Sequence, residues 1–149
     1  MPRKHSKILL VEDDGGDREI IFRVAKESGF GSKIDVVSSG AEVFEYLQTR
    51  DPAQKNAAAL FPDLIFLDLN LPGMSGFDVL RKLKEGPEIK GIPVIVLSTS
   101  AAADDINRSY ALGASSYVTK PSSIQNFINT MREIERYWFD IVSLPIQRA

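Results

Sequence analysis

The 149-residue chain contains no cysteine, which excludes disulfides, thiolate metal sites and a cysteine nucleophile and fits a reducing compartment. It has no run of about 18 apolar residues, the length a membrane-spanning helix requires. Its basic start, Met1 to Lys7, leads into an apolar run, Ile8 to Val11, that is too short for an export signal. Basic residues are not in excess: the formal net charge is −2, so nothing is available to neutralise a row of nucleic-acid phosphates. The single histidine, His5, lies in the basic terminus, where neither catalysis nor metal binding is expected. These absences point to a cytoplasmic protein with no membrane segment and no direct nucleic-acid partner.

What is present is enough apolar material for one domain. Four short apolar runs, Ile8 to Val11, Ile34 to Val37, Leu64 to Leu67 and Val94 to Leu97, are joined by a weaker fifth at Tyr117-Val118. Three of them lack polar alternation and so read as parallel strands covered on both faces. Between them apolar residues recur at helical spacing: Ile20, Ile21, Val24, Ala25; Val43, Tyr46, Leu47; Phe77, Leu80, Leu83; Ile106, Tyr110, Ala111; and Ile124, Phe127, Ile128, Met131, continuing to Ile134 and Trp138. Ser39 with Glu42 and Ser75 with Asp78 look like helix starts, Asp14 reads as the cap of the first helix, and Gly29, Gly86 and Gly113 are placed to end helices. Five strand-helix units predict an α/β fold of flavodoxin-like (βα)5 type, a five-stranded parallel sheet of order 2-1-3-4-5 with helices on both faces. A closed eight-unit barrel would need about 250 residues. The irregular stretch Arg50 to Phe61 reads as a surface connection.

In that winding the working crevice lies at the carboxyl ends of the strands. Glu12, Asp13 and Asp14 follow the first, and Asp68 follows the third, its neighbour. Converging carboxylates repel, so either their pKa values rise or a cation holds them ionised, and Mg²⁺ suits an all-oxygen site. Ser98 follows the fourth strand and Lys120 the fifth. A hydroxyl and an ammonium beside a metal-bound carboxylate are what a phosphoryl group requires, which makes Asp68 a candidate nucleophile that becomes an aspartyl phosphate.

Over residues 6–135 these motifs resemble a two-component response-regulator receiver domain: Val11-Glu12-Asp13-Asp14, Leu67-Asp68-Leu69-Asn70-Leu71-Pro72-Gly73, Ser98 after Pro93 to Leu97, and Lys120-Pro121 after Gly113 to Tyr117. The resemblance implies that Asp68 is the phosphoacceptor, that Asp13 binds Mg²⁺ directly, and that Glu12 acts largely through a bound water. It implies that Asn70 offers the metal its backbone carbonyl and that Ser98 and Lys120 bind phosphoryl oxygens. Tyr117 matches the aromatic that follows Ser98 when the domain switches, and Lys120-Pro121 matches a bond that is usually cis.

The connection before Asp68 is about ten residues longer than in most receivers, within the range of a tolerated surface insertion. Gly15-Gly16 leaves no bulky side chain where such domains often flank the phosphoryl pocket. The long connection and the aromatic segment Tyr137 to Pro145 together resemble single-domain regulators that serve phytochrome-type sensor histidine kinases. The expected organisation is a flexible terminus at 1–6, a receiver domain at 7–136 and an aromatic extension at 137–149. Trp138, Phe139, Ile141 and Leu144 are expected either to pack on the domain or to form an interface, and a homodimer is expected, with output by protein contact or onward phosphotransfer. An aspartyl-phosphate-type phosphatase is the rival enzyme reading, but its second Asp, two residues after the nucleophile, is here Asn70, and its cap domain has no counterpart. A pseudo-receiver would lack part of the acidic set or the lysine. A nucleotide or flavin carrier would need a phosphate-cradling glycine loop where the first strand instead enters carboxylates.

Overall fold

The computed structural model describes residues 7–27, 33–50 and 61–145. The expectations about His5, residues 1–6, Gly29 and most of the long connection lie outside the described residues. Five units follow in order: β1 (Lys7–Val11), α1 (Gly15–Glu27), β2 (Lys33–Val37), α2 (Gly40–Gln48), β3 (Leu64–Asp68), α3 (Gly76–Leu83), β4 (Val94–Ser98), α4 (Ala103–Ala111), β5 (Ser116–Thr119) and α5 (Ile124–Glu135). All strand pairs are parallel and the order is β2-β1-β3-β4-β5, as the alternation predicts.

Strand side chains alternate between two cores. Leu9, Val11, Ile65, Leu67, Val94 and Val96 pack with Val43 and Leu47 of α2 and Val79, Leu80 and Leu83 of α3. Ile8, Leu10, Leu64, Phe66, Ile95 and Leu97 pack with Ile21 and Val24 of α1 and Phe127, Ile128 and Met131 of α5. This explains why β1, β3 and β4 have no polar alternation: both faces are covered.

The helix starts are as the caps suggest. Ser39 Oγ accepts the Glu42 N–H, Ser75 Oγ accepts the Asp78 N–H, and Asp14 Oδ1 accepts the Gly16 N–H. Glu42 reaches back to the Ser38 N–H at 2.6 Å, one residue beyond the usual capping-box partner. Gly113 ends α4 at φ +106°, a left-handed conformation that a side chain disfavours. Gly86 adopts no such conformation, because α3 ends at Lys84 in ordinary helical geometry.

Two helices differ from the pattern. In α4 the expected apolar face is mostly open: Tyr110 and Ala111 are exposed, and Ser109 is the buried residue, its hydroxyl donating to the Asp105 carbonyl. Beyond α5 the chain does not simply continue. It widens into a π-helical turn, Arg136–Ile141, marked by the Val142 N–H donating to the Tyr137 carbonyl five residues back. That turn carries Phe139, and Leu144 after it, into the α1/α5 core, while Tyr137 and Ile141 remain 52% and 60% exposed. The aromatic extension is thus partly core. Among the described residues no helix is long and apolar enough to cross a membrane.

Candidate metal and phosphoryl site

Strand register fixes which residues meet. Val11 pairs with Leu67, so Glu12 and Asp13 emerge from β1 beside Asp68 at the end of β3. Ser98 pairs with Thr119, and the Lys120 N–H donates to the Ser98 carbonyl at 2.7 Å, which fixes the β5 exit against the β4 exit. Behind Asp68, α3 comes so close that a Cβ on Gly76 would lie 2.6 Å from the Asp68 carbonyl and 2.4 Å from the Leu69 Cα. Only glycine lets the helix start there without moving the acidic strand end.

Oxygens of Glu12, Asp13 and Asp68 gather within 4.8 Å of one another, with Asp13 exposed and the other two buried. Asp68 Oδ1 accepts the Asn70 N–H at 2.9 Å, so Asn70 is tied to the site by its backbone while its side chain faces solvent. Glu12 Oε1 accepts the Asp14 N–H at 3.1 Å. The buried Lys120 ammonium donates to Glu12 at 2.7 Å, to Asp17 at 2.8 Å and to Asp68 at 3.1 Å. Asp17 is not among the residues that the strand ends single out in the sequence. The available signal was an acid on the first helical turn after the acidic pair, hence over the same crevice.

Burial pushes the Glu12 carboxyl up to about 7, reinforced by Asp68 and opposed by the Lys120 ammonium. Burial alone would lower Lys120, but the hydrogen bonds and charges of Asp17, Glu12 and Asp68 outweigh it and hold the ammonium well above the ordinary lysine range. Of the two expected consequences of converging carboxylates, the raised pKa is present at Glu12, and the Lys120 ammonium partly offsets the charge of Glu12 and Asp68. An oxygen-only donor set with one exposed carboxylate fits a divalent cation of the hard class.

Ser98 is buried at the rim, its Oγ accepting the Ser100 N–H at 3.1 Å. Tyr117 is half-buried, and its hydroxyl donates to the Ser100 carbonyl at 2.7 Å. Ser98 and Tyr117 are thus joined through Ser100. Ser100 Oγ also donates to Asp105 and accepts the Ala102 N–H, which ties the start of α4 to the same loop. The cis bond implied for Lys120-Pro121 is corrected: no described peptide bond is cis. An X–Pro bond prefers one isomer by only about 0.5–1 kcal/mol, and in the trans form Lys120 already makes its backbone and ammonium contacts.

Comparison with known proteins agrees with this arrangement. Residues 8–132 match the response regulator receiver domain. The chain is 36% identical over 138 residues to the response regulator Rcp1 of Synechocystis sp., covering 93% of this chain and 92% of that protein. The crystal structure of the Mn(2+)-bound form of Rcp1 superposes with a TM-score of 0.86 at 35% identity, covering 95% of this chain and 99% of the other. The phosphorylated cyanobacterial phytochrome response regulator RcpA superposes with a TM-score of 0.87 at 39% identity, with coverage of 95% and 99%.

Proposed function

The chain belongs to the response regulator receiver domain family, and on that footing we propose that it takes a phosphoryl group on Asp68 from a sensor histidine kinase of the phytochrome type. The observation that carries this reading is the meeting of Asp68 with Glu12, Asp13 and Lys120 at one end of the sheet. The kinase class is supported by the similarity to a cyanobacterial phytochrome response regulator over nearly the whole chain.

In this reading Asp13 and Asp68 would hold Mg²⁺ with the Asn70 carbonyl. Glu12, fully buried and already bonded to Lys120, acts from behind them. Bound there, the cation would supply positive charge that offsets the phosphoryl oxygens. Lys120 offsets a further oxygen, and Ser98 donates its hydroxyl to another. Asp68 attacks phosphorus as an ionised carboxylate, with β3 and Gly76 fixing its backbone. When Ser98 turns toward the phosphoryl group, its bond to the Ser100 N–H is released, which frees the Ser100 loop, and Tyr117 held on its carbonyl, to move. The domain also takes part in its own phosphorylation and dephosphorylation, works in the cytoplasm, and passes its signal by contact between proteins. It forms a homodimer on the α4-β5-α5 face. An open groove of about 600 Å³ between β5 and the end of α5, lined by Val118, Ile134, Tyr137 and Trp138, supports that face as an interface.

The experiment is incubation with acetyl phosphate and Mg²⁺ followed by intact mass measurement. One added phosphate is expected in the parent, with none in Asp68→Asn and none when the metal is chelated. Equal labelling of Asp68→Asn overturns the assignment.

A further inference from the structure

An ammonium has three N–H donors and no acceptor, and in Lys120 all three are engaged, by Glu12 at 2.7 Å, Asp17 at 2.8 Å and Asp68 at 3.1 Å. Glu12 and Asp68 form the buried floor of the site, whereas Asp17 stands on the first turn of α1 with its side chain 22% exposed. The ammonium is therefore drawn inward by two acids and outward by one. Asp17 is not among the three acids whose oxygens gather within 4.8 Å, so it stands apart from the metal cluster.

We propose that Asp17 is a positioning residue for phosphoryl transfer: it holds the Lys120 ammonium at the rim, so that a single N–H passes from Asp68 to the incoming phosphoryl oxygen while the side chain stays in place. The proposal rests on Asp68 being the phosphoacceptor. With an acyl phosphate donor, the bond from phosphorus to the donor's carboxyl oxygen breaks and the electron pair leaves with that carboxylate. A new bond forms between phosphorus and an Asp68 oxygen, and no proton has to move. Asp68 loses its charge in the step, so its hold on Lys120 weakens as the phosphoryl oxygens begin to attract the same N–H. Without Asp17, a nearly buried ammonium keeps one N–H with no ionised acceptor. It then settles on Glu12 and Asp68, opposing the nucleophile and any cation that Asp13 and Asp68 would hold.

A double-mutant cycle on Asp17→Ala and Lys120→Ala tests this, read as the initial rate of phosphate gain from acetyl phosphate at saturating Mg²⁺. The expected loss for Asp17→Ala is roughly tenfold, the order of one charge-assisted hydrogen bond. Asp17→Asn, which keeps an acceptor oxygen, loses less, and Asp17→Ala added to Lys120→Ala loses nothing further. Mn²⁺ titration of the phosphate-free protein gives a second cycle that needs no labelling: Asp17→Ala weakens binding in the parent and changes nothing beside Lys120→Ala. An unchanged rate in Asp17→Ala overturns the proposal. An equal loss in both backgrounds does so too, because Asp17 would then act on metal or phosphoryl directly. A parent that gains no phosphate removes the reading of Asp68 itself, whereas a labelled parent with an unaffected Asp17→Ala removes only the role of Asp17.

Discussion

Glu135 is fully buried in the last turn of α5, one and two turns beyond Met131 and Ile128 on the same face, and neither of its carboxyl oxygens has a hydrogen-bond partner. Burial pushes its carboxyl up to about 7, from an ordinary value of 4.5. The folded state thus binds the proton more tightly than the unfolded chain, so this group adds stability below pH 4.5 that is lost as pH rises through 7. The full difference is on the order of 3 kcal/mol. Chemical denaturation of Glu135→Gln and parent at pH 5 and pH 8 is the check. The mutant should be less pH-sensitive than the parent, and an identical pH dependence contradicts the assignment. Glu12, whose carboxyl is also raised, is common to both proteins and cancels in the comparison. At this scale the sequence was legible wherever a residue follows a short apolar strand, because topology alone puts Glu12, Asp13, Asp68, Ser98 and Lys120 at one end. Asp17 and Glu135 were legible only in part. The first bonds a lysine 103 residues away, and the second depends on the rotational phase of α5 against its neighbours.

The end of α5 shows what helical periodicity cannot resolve. The helical spacing of α5 runs on through Ile134 to Trp138, but Tyr137, Phe139 and Ile141 crowd around it, so periodicity alone points to Trp138 and not to Phe139. The π-helical turn makes the choice, placing Phe139 at 2% exposure in the core. Phe139→Ala should therefore cost about 3 kcal/mol or more, while Ile141→Ala stays within about 0.5 kcal/mol. Thermal melting of the two variants decides, and a neutral Phe139→Ala contradicts core packing. α4 shows a second limit. Its N-cap is Ala102, which offers no side-chain bond, and Ser100, two residues earlier, takes over by accepting the Ala102 N–H and donating to Asp105. Such a cap lies outside the usual sequence pattern, yet it joins the start of α4 to the loop that bears Ser98.

At the scale of the whole molecule, the parallel sheet gathers Glu12, Asp13, Asp68, Ser98 and Lys120 at one end, and the proposed dimer face lies to the side, on α4, β5 and α5. Because Phe139 and Leu144 belong to the core, deleting the aromatic segment would damage the fold, so the proposed dimer is better tested with surface changes. Sedimentation of the full chain with beryllofluoride and Mg²⁺ should show tighter association than without. Replacing exposed Tyr137 and Ile141 by serine should reverse that gain, and a protein that stays monomeric in every condition contradicts the dimer. The central claim is that one carboxylate, Asp68, carries the phosphoryl group. Borohydride reduces an acyl phosphate to an alcohol, so trapping the phosphorylated protein and sequencing its peptides by mass spectrometry reads the site directly. The account predicts homoserine at position 68 and at no other acid; homoserine at Asp13 or Asp17, or a borohydride-resistant phosphate on Ser98, would contradict it.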